Sequence, residues 1–350
     1  MRVIVSFLKN ILNNYVALRY LLTQEREGKS TISFGKKIWC LFHGFSSAKY
    51  VLYNFKHNSH KLYLSDYQRR KTAKINGPYS LTINDKYLFG ELFKDLTAKI
   101  FGRIKKGKIY FEGKESDVND LLEFIANKKE IILKKYRGGG GKGIYKLSYV
   151  NENIYLDDQI IGKEKLTNFI TELSDHLIME HLSQLDYSST IYPGTINSIR
   201  VLTMIDTVTN EPFITIAVHK FGSEKTKPAD NVWKGGMTAL IDLETGVLAK
   251  SAYHKENNNE IEWIPEHPDT KVKVEGTIVP NWNKVKEAVL EIARKHDYLK
   301  YVGWDVVVTL DGVKVIEGNN YSDVNILQIH QPLLQNERVK KFYKHYKIIK

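Results

Sequence analysis

Gly303-Trp304-Asp305-Val306-Val307-Val308-Thr309-Leu310-Asp311-Gly312-Val313-Lys314-Val315-Ile316-Glu317-Gly318-Asn319 reads as a tight hairpin of two largely buried strands that nevertheless carry two acids. Turn geometry decides whether those acids meet. A two-residue turn at Asp311-Gly312 pairs Leu310 with Val313 and puts Asp305 and Glu317 on opposite faces. A three-residue loop, Leu310-Asp311-Gly312, pairs Thr309 with Val313 and sets Asp305 across from Glu317, with Gly312 in the left-handed position such loops favour. In that register Asn319, two residues on, shares the face of Glu317. Facing carboxylates destabilise a sheet unless something positive lies between them. Three oxygen-bearing side chains at this spacing suit Mg²⁺, completed by water and phosphate oxygens. The competing reading is a carboxylate pair salt-bridged to nearby Lys or Arg.

Outward from the hairpin, alternating apolar patterns predict strands at 198–205, 213–221, 237–241 and 247–253, with turns at Asn210 and Gly246. They form one large antiparallel sheet, which a helix at 282–296 joins to the hairpin. Further upstream lie predicted helices at 85–100, 116–127 and 164–173. Strands are expected at 130–136, 144–150 and 177–181, with a hairpin around Asp157-Asp158.

Between the strands at 130–136 and 144–150 runs Arg137-Gly138-Gly139-Gly140-Gly141-Lys142-Gly143. Four successive glycines leave backbone N–H groups free to close over phosphate oxygens. This is not a P-loop, because Gly143 follows Lys142 where Ser or Thr is required, and the loop joins two strands instead of opening a helix. A lid closing over a nucleotide fits better. Lys134, inside the apolar strand, needs an anionic partner, which a phosphate would supply. The bland alternative is a glycine-rich hairpin tip with a solvated edge lysine.

The pieces in between carry weaker signals. Leu177-Ile178-Met179-Glu180-His181 is an apolar strand ending on an acid, a segment able to bind adenine through its backbone, with Glu180 accepting from the exocyclic amine. Arg200 sits within a predicted strand, where a bidentate guanidinium suits a carboxylate or a transferring phosphoryl group; a buried Arg paired with an acid is the alternative. Lys220 and the run Asp230-Asn231-Val232-Trp233-Lys234-Gly235-Gly236 read as a loop entering a cleft.

Hydrophobic residues make up 42% and charged residues 26% of 350 residues, which excludes wholesale disorder and suits two or three subdomains around a shared cleft. With Cys40 alone, an intrachain disulfide and a Cys-based metal site are excluded, and a reducing cytoplasm is expected. Residues 1–22 are apolar but interrupted by Lys9, Asn10, Asn13, Asn14 and Arg19, short of the ~20 apolar residues of a membrane span. They read as an amphipathic helix expected to pack on the protein's own core, with peripheral contact at the inner membrane face as the alternative. The net charge of +12 admits an anionic nucleotide, polysaccharide, lipid surface or nucleic acid as partner, but no nucleic-acid motif accompanies it. The basic residues are spread along the chain, and the Lys-rich end from Lys340 to Lys350 reads as a solvated helical face. Three regions follow: a basic N-terminal region at 1–83, a lid at 84–185, and a large unit with a C-terminal helix at 186–350.

In order, these features resemble the ATP-grasp superfamily over roughly residues 80–325. Asn84-Asp85-Lys86 looks like the family's early Asp-Lys element, whose lysine contacts ATP phosphates. Lys134 with the glycine loop matches its second phosphate lysine and mobile lid, although Lys135 stands where a proline is often found. Met179-Glu180-His181-Leu182 is similar to the adenine hinge. Asn197 with Arg200, then Asn231 and Gly235-Gly236, look like the central strand and the loop near the γ-phosphate. Asp305, Glu317 and Asn319 match the Mg²⁺ triad. The pairing of Asn197-Ser198-Ile199-Arg200 with Asp305 and Glu317-Gly318-Asn319 looks specifically like the sugar-transfer-associated group, whose members are linked with making bacterial surface polysaccharides.

The resemblance implies an α+β ATP-grasp fold, in which a small glycine-loop lid and a large antiparallel sheet clasp ATP, after an N-terminal α/β region. It implies a carboxylate-amine ligase working through an acyl phosphate, with two Mg²⁺ ions or Mn²⁺ in their place. Lys86, Lys134, Lys135, Gly139, Gly140, Gly141 and Lys142 would contact phosphates, and Arg200, Asn197 and Lys220 would act at the reacting groups. The implied substrates are a small carboxylate and an amine, among them a sugar nucleotide or saccharide. A phosphotransferase or nucleotide binder on the same fold, and a polyanion-binding module, are the rival classes.

Overall fold

The computed structural model describes residues 2–28, 30–138, 141–157, 159–255 and 259–350, with the backbone alone over 2–10. Its described strands form two antiparallel sheets. The first contains β1 (Ile100–Lys105), β2 (Lys108–Phe111), β3 (Lys114–Ser116), β4 (Glu130–Lys135), β5 (Ile144–Val150), β6 (Asn153–Leu156), β7 (Gln159–Ile161) and β8 (His176–Glu180), in the order β3-β2-β1-β8-β4-β5-β6-β7. The second contains β9 (Ile199–Ile205), β10 (Pro212–Phe221), β11 (Met237–Ile241), β12 (Leu248–Lys255), β13 (Glu260–Ile264), β14 (Tyr301–Thr309) and β15 (Gly312–Asn319), in the order β13-β12-β11-β10-β9-β14-β15.

Period-two alternation places the cores. In the first sheet Ile104, Ile131, Leu133, Leu147 and Ile178 bury against Leu121 and Ile125 of the helix Val118–Lys128 and Leu166 and Ile170 of Lys163–Glu172. The opposite face is left for the cleft. The second sheet is buried on both faces. Val201, Ala217 and Trp304 pack on Val285, Val289 and Ile292 of the helix Trp282–Lys295, while Leu202, Met204 and Tyr301 meet Val339, Phe342 and Tyr343 of Glu337–His345. Double-sided burial explains why β14 reads as an almost continuous apolar run.

Three expectations need correction. The helix predicted over 85–100 is only Lys86–Leu92, capped by Asp85, whose Oδ1 accepts from the N–H groups of Tyr87 and Leu88. The chain then leaves the helix, because the carbonyl of Leu96 accepts from Val315 N (2.7 Å) at the edge of the second sheet. β1–β3 and β13 had no counterpart in the sequence reading. Their turns at Lys106-Gly107 and Glu112-Gly113 take positive φ at both residues, a geometry that Asn-Gly or Asp-Gly would have advertised. The N-terminal region, expected as α/β, is helical among its described residues, beginning with α1 (Arg2–Glu27) and α2 (Phe34–Phe42).

Candidate active site

β14 and β15 bring Asp305 opposite Glu317. They do so by another route than a three-residue loop. Thr309 pairs with Gly312 around Leu310-Asp311, and a β-bulge then leaves Ile316 without a partner on β14. Bulge and longer loop insert one residue on the same strand, so beyond the insertion both give the same register. Glu317 Oε1 is 3.3 Å from Asn319 Nδ2, which also donates to the carbonyl of Gly303 (3.2 Å).

Adjacent strands supply the cations. Arg200 on β9 lies directly across from Asp305, with Nε 2.5 Å from Oδ1 and Nη2 2.9 Å from Oδ2. Lys220 on β10 reaches Asp305 Oδ2 at 3.2 Å and Asp230 Oδ1 at 3.3 Å. Asp230 also accepts from Ser198 N and Oγ. Burial opposes ionisation of Asp305, but Arg200 and Lys220 outweigh it and hold the carboxyl well below the usual range. Burial likewise lowers the pKa of Lys220, and Asp230 and Asp305 overcome it so that the ammonium is held above its ordinary value.

The segment that leads into the glycine loop is anchored at its base. Lys86 N donates to the carbonyl of Tyr136 (3.1 Å), Lys86 Nζ to that of Gly138 (2.7 Å), and Arg137 Nε pairs with Asp85 Oδ2 at 3.0 Å. Lys134 Nζ points across the cleft to the carbonyl of Ile316 at 3.4 Å, the residue freed by the bulge. Burial, with the neighbouring Lys134 charge, lowers the pKa of Lys86, and Glu317 and Asp85 oppose the shift. At the far end Gly141, with φ +79°, approaches so closely that a Cβ there would lie 2.6 Å from Ala229 Cβ.

Between the first sheet and the hairpin lies a cavity of about 390 Å³. Of the residues singled out from sequence, Lys86, Lys134, Lys135, Gly141, Lys142, Arg200, Lys220, Asn231, Asp305, Glu317 and Asn319 line it. Gly139 and Gly140 fall outside the described residues. Others are placed elsewhere. Asn197 Nδ2 donates to the carbonyls of Ser188 and Tyr192 while its Oδ1 accepts from Gly222 N and Thr195 Oγ1, so its amide is used up in bracing the loop. Met179 packs with Leu177, Ala98 and Leu182. Glu180 Oε2 accepts from Lys99 N (3.0 Å), and His181 Nδ1 pairs with Glu130 at 3.0 Å. Gly235, at φ +106°, and Gly236, whose N–H donates to the carbonyl of Asn231, form the turn into β11.

Sequence reasoning assigned no role to Asp230, Trp233 or Asp323, which also line the cavity. Trp233 Nε1 donates to Asp323 Oδ2 (2.7 Å), and Arg69 of the N-terminal region approaches Asp323 Oδ1 at 3.4 Å. Asp230 and Trp233 lay within a run already read as a cleft loop, whereas Asp323 did not. The Arg69 pair joins distant segments with no local signal.

The residues at the hairpin fit a hard divalent cation. Asp305, Glu317 and Asn319 are all oxygen donors on one strand pair. Of the roughly four lone-pair sites on a carboxylate, Arg200 and Lys220 occupy three on Asp305, leaving one on Oδ1.

The sequence pattern of the sugar-transfer associated ATP-grasp family matches residues 66–343, most of the chain. The chain belongs to this family. Among curated proteins none matches the sequence. Solved structures similar to this ATP-grasp chain include the ATP-grasp ligase PsnB in complex with a minimal precursor, at 14% identity over 71% of this chain and 55% of that one, with a TM-score of 0.36. Another is D-alanyl-alanine synthetase A of Vibrio cholerae, at 9% identity over 75% and 66% of the two chains, with a TM-score of 0.42. A third is N5-carboxyaminoimidazole ribonucleotide synthetase of Thermotoga maritima, at 12% identity over 70% and 44%, with a TM-score of 0.34. The chain spans just over half the length of PsnB.

Proposed function

We propose that this ATP-grasp protein is an ATP- and Mg²⁺-dependent carboxylate-amine ligase that joins an amino acid or amine to an acidic sugar in bacterial surface polysaccharide synthesis, such as capsule, in the cytoplasm. The observation that carries the reading is the opposition, across one cavity, of Lys86, Lys134 and Lys142 to the hairpin bearing Asp305, Glu317 and Asn319. Cations on one wall and oxygen donors on the other are what a metal-bound triphosphate requires.

In this reading the lysines neutralise the phosphates, and Gly141 with its neighbours closes over them. A substrate carboxylate oxygen attacks the γ-phosphorus and ADP leaves. The amine nitrogen then attacks the acyl carbon, releasing phosphate and giving up a proton. Mg²⁺ held by Asp305, Glu317 and Asn319, two ions in all with Mn²⁺ as a substitute, would neutralise phosphate charge during transfer. Arg200 and Lys220, which line the cavity, act at the reacting groups and also hold the Asp305 carboxylate ionised and in place. Excluding water from the closed cavity protects the acyl phosphate.

The test is ADP release by the purified protein supplied with ATP, Mg²⁺, uronic acids or sugar nucleotides bearing them, and a panel of amino acids and amines. Release that requires both an acid and an amine supports the ligase. Release with a single acceptor would make it a phosphotransferase, and tight nucleotide binding without turnover across the panel would leave a nucleotide-binding protein.

A further inference from the structure

We propose that α1 and α2 dock the protein on the surface of an anionic lipid bilayer. α1 has two apolar faces. One is used internally: Ala17 and Leu21 are buried, Asn14 Oδ1 accepts from Tyr67 Oη, and Tyr20 Oη accepts from Arg69 Nη1. The other faces solvent. Ile11, Tyr15, Leu18 and Leu22 recur at the three- and four-residue spacing of one helical stripe, all exposed, and Leu12 beside them is 60% exposed. In α2 the residues Phe34, Ile38 and Phe42 repeat every four residues, with Phe34 78% and Phe42 87% exposed. Scattered exposed apolar residues are ordinary, but a periodic stripe on each of two helices marks a contact face on each.

Charge selects the occupant. Residues 1–83 contain 14 Lys and Arg against three Asp and Glu, so +11 of the chain's net +12 resides there. The basic residues are spread along the chain, but the excess of positive charge is not. Arg19, Arg26 and Lys36 are exposed on these same helices. A second copy would bring one strongly positive region against another, and a nucleic acid would leave the apolar stripes uncovered. An anionic bilayer answers both features, taking the stripes into its interface and the cations at its headgroups. Among the described residues no helix is long and apolar enough to cross a membrane, so the contact is a surface one.

Flotation of the full chain with vesicles tests this. Binding is expected to vesicles of phosphatidylcholine with about one-third phosphatidylglycerol, and to be at least ~10-fold weaker on phosphatidylcholine alone. The double variant Leu18→Glu/Phe42→Glu is expected to bind the anionic vesicles at least ~10-fold more weakly, since each site loses apolar insertion and gains like charge to the lipid. Its affinity for ATP with Mg²⁺ should equal that of the wild type, which shows the fold intact and keeps this result independent of the ligase reading. No binding by the wild type, or binding that the double variant retains, would overturn the proposal. So would a wild-type dimer that the double variant dissociates, which would assign the stripes to a second copy.

Discussion

One guanidinium occupies both oxygens of the acid that the hairpin presents: Arg200 Nε is 2.5 Å from Asp305 Oδ1 and Nη2 is 2.9 Å from Oδ2. Both residues are buried, and the pair spans two neighbouring strands of the larger sheet. Removing one partner of such a pair strands a charge, at a cost of about 3–5 kcal/mol. Arg200→Met leaves Asp305 with Lys220 as its remaining cation and is therefore expected to lower the unfolding free energy by up to about that amount. Arg200→Met/Asp305→Leu should recover most of the loss, because Lys220 still has Asp230. Urea unfolding of the three proteins checks it, and a single variant as stable as the wild type would refute the pairing's weight.

His219 should make the protein acid-sensitive well above the carboxylate range. Its ring is fully buried, accepting from Tyr187 Oη at Nε2 (2.9 Å) and donating from Nδ1 to the carbonyl of Lys220 (3.2 Å). Burial pushes its pKa down from 6.5 to about 3, with the Lys220 carbonyl opposing and the Lys220 charge adding to the depression. The unfolded chain therefore binds a proton that the folded chain refuses between those values. The contribution of His219 is complete above pH 6.5 and is lost as pH falls through the window toward about 3. Stability measured from pH 7 to 4 should decline less steeply in His219→Gln, and an identical slope would remove His219 from the account.

Gly303 is needed for space. A Cβ there would lie 2.3 Å from Ser322 Oγ and 3.3 Å from Arg200 Cδ. Gly303→Ala must displace one of them, with an overpacking cost of about 1–3 kcal/mol. It should also weaken binding of ATP with Mg²⁺ if Arg200 is the residue that moves. Gly303→Ala/Ser322→Gly removes the nearer contact and should lie closer to the wild type in both thermal unfolding and titration. A double variant no better than the single one would place the clash elsewhere.

The larger sheet and the hairpin were legible because burial leaves its period in the sequence. β5 and β11 run over the predicted residues, and Asp305 stands opposite Glu317 as expected. What escaped was set by contacts that periodicity does not encode. The bulge at Ile316 has the same consequence as a longer turn, so the apolar pattern could not separate them. The helix after Asp85 stops because Leu96 turns its carbonyl to Val315, a partner more than two hundred residues away. Asn197 looked like a reacting residue for want of the four backbone and side-chain groups that saturate its amide. Charge pairing left two readings of Arg200 open for a related reason. Arg200 has the geometry to hold a substrate, but the strand order puts Asp305 beside it first.

Strand alternation predicts which lysine of β4 should matter most to the nucleotide. Ile131 and Leu133 bury against the helices of the first sheet, so Lys134 falls on the cleft face and its Nζ reaches the carbonyl of Ile316. Lys135 alternates back. It borders the cavity, but its side chain is exposed and lies along Gly143, where a Cβ would sit 3.1 Å from Lys135 Cβ. An ammonium confined near a phosphate loses more on removal than one that remains in water, because the solvated charge is largely screened. Lys134→Met is thus expected to weaken ATP binding by about tenfold or more, the equivalent of about 1.4 kcal/mol, whereas Lys135→Met should cost less than about threefold. Calorimetric titration of ATP with Mg²⁺ into both variants reads the difference directly. Equal losses would mean that the lid brings both lysines to the phosphates, and a larger loss at Lys135 would reverse the assignment of faces on β4.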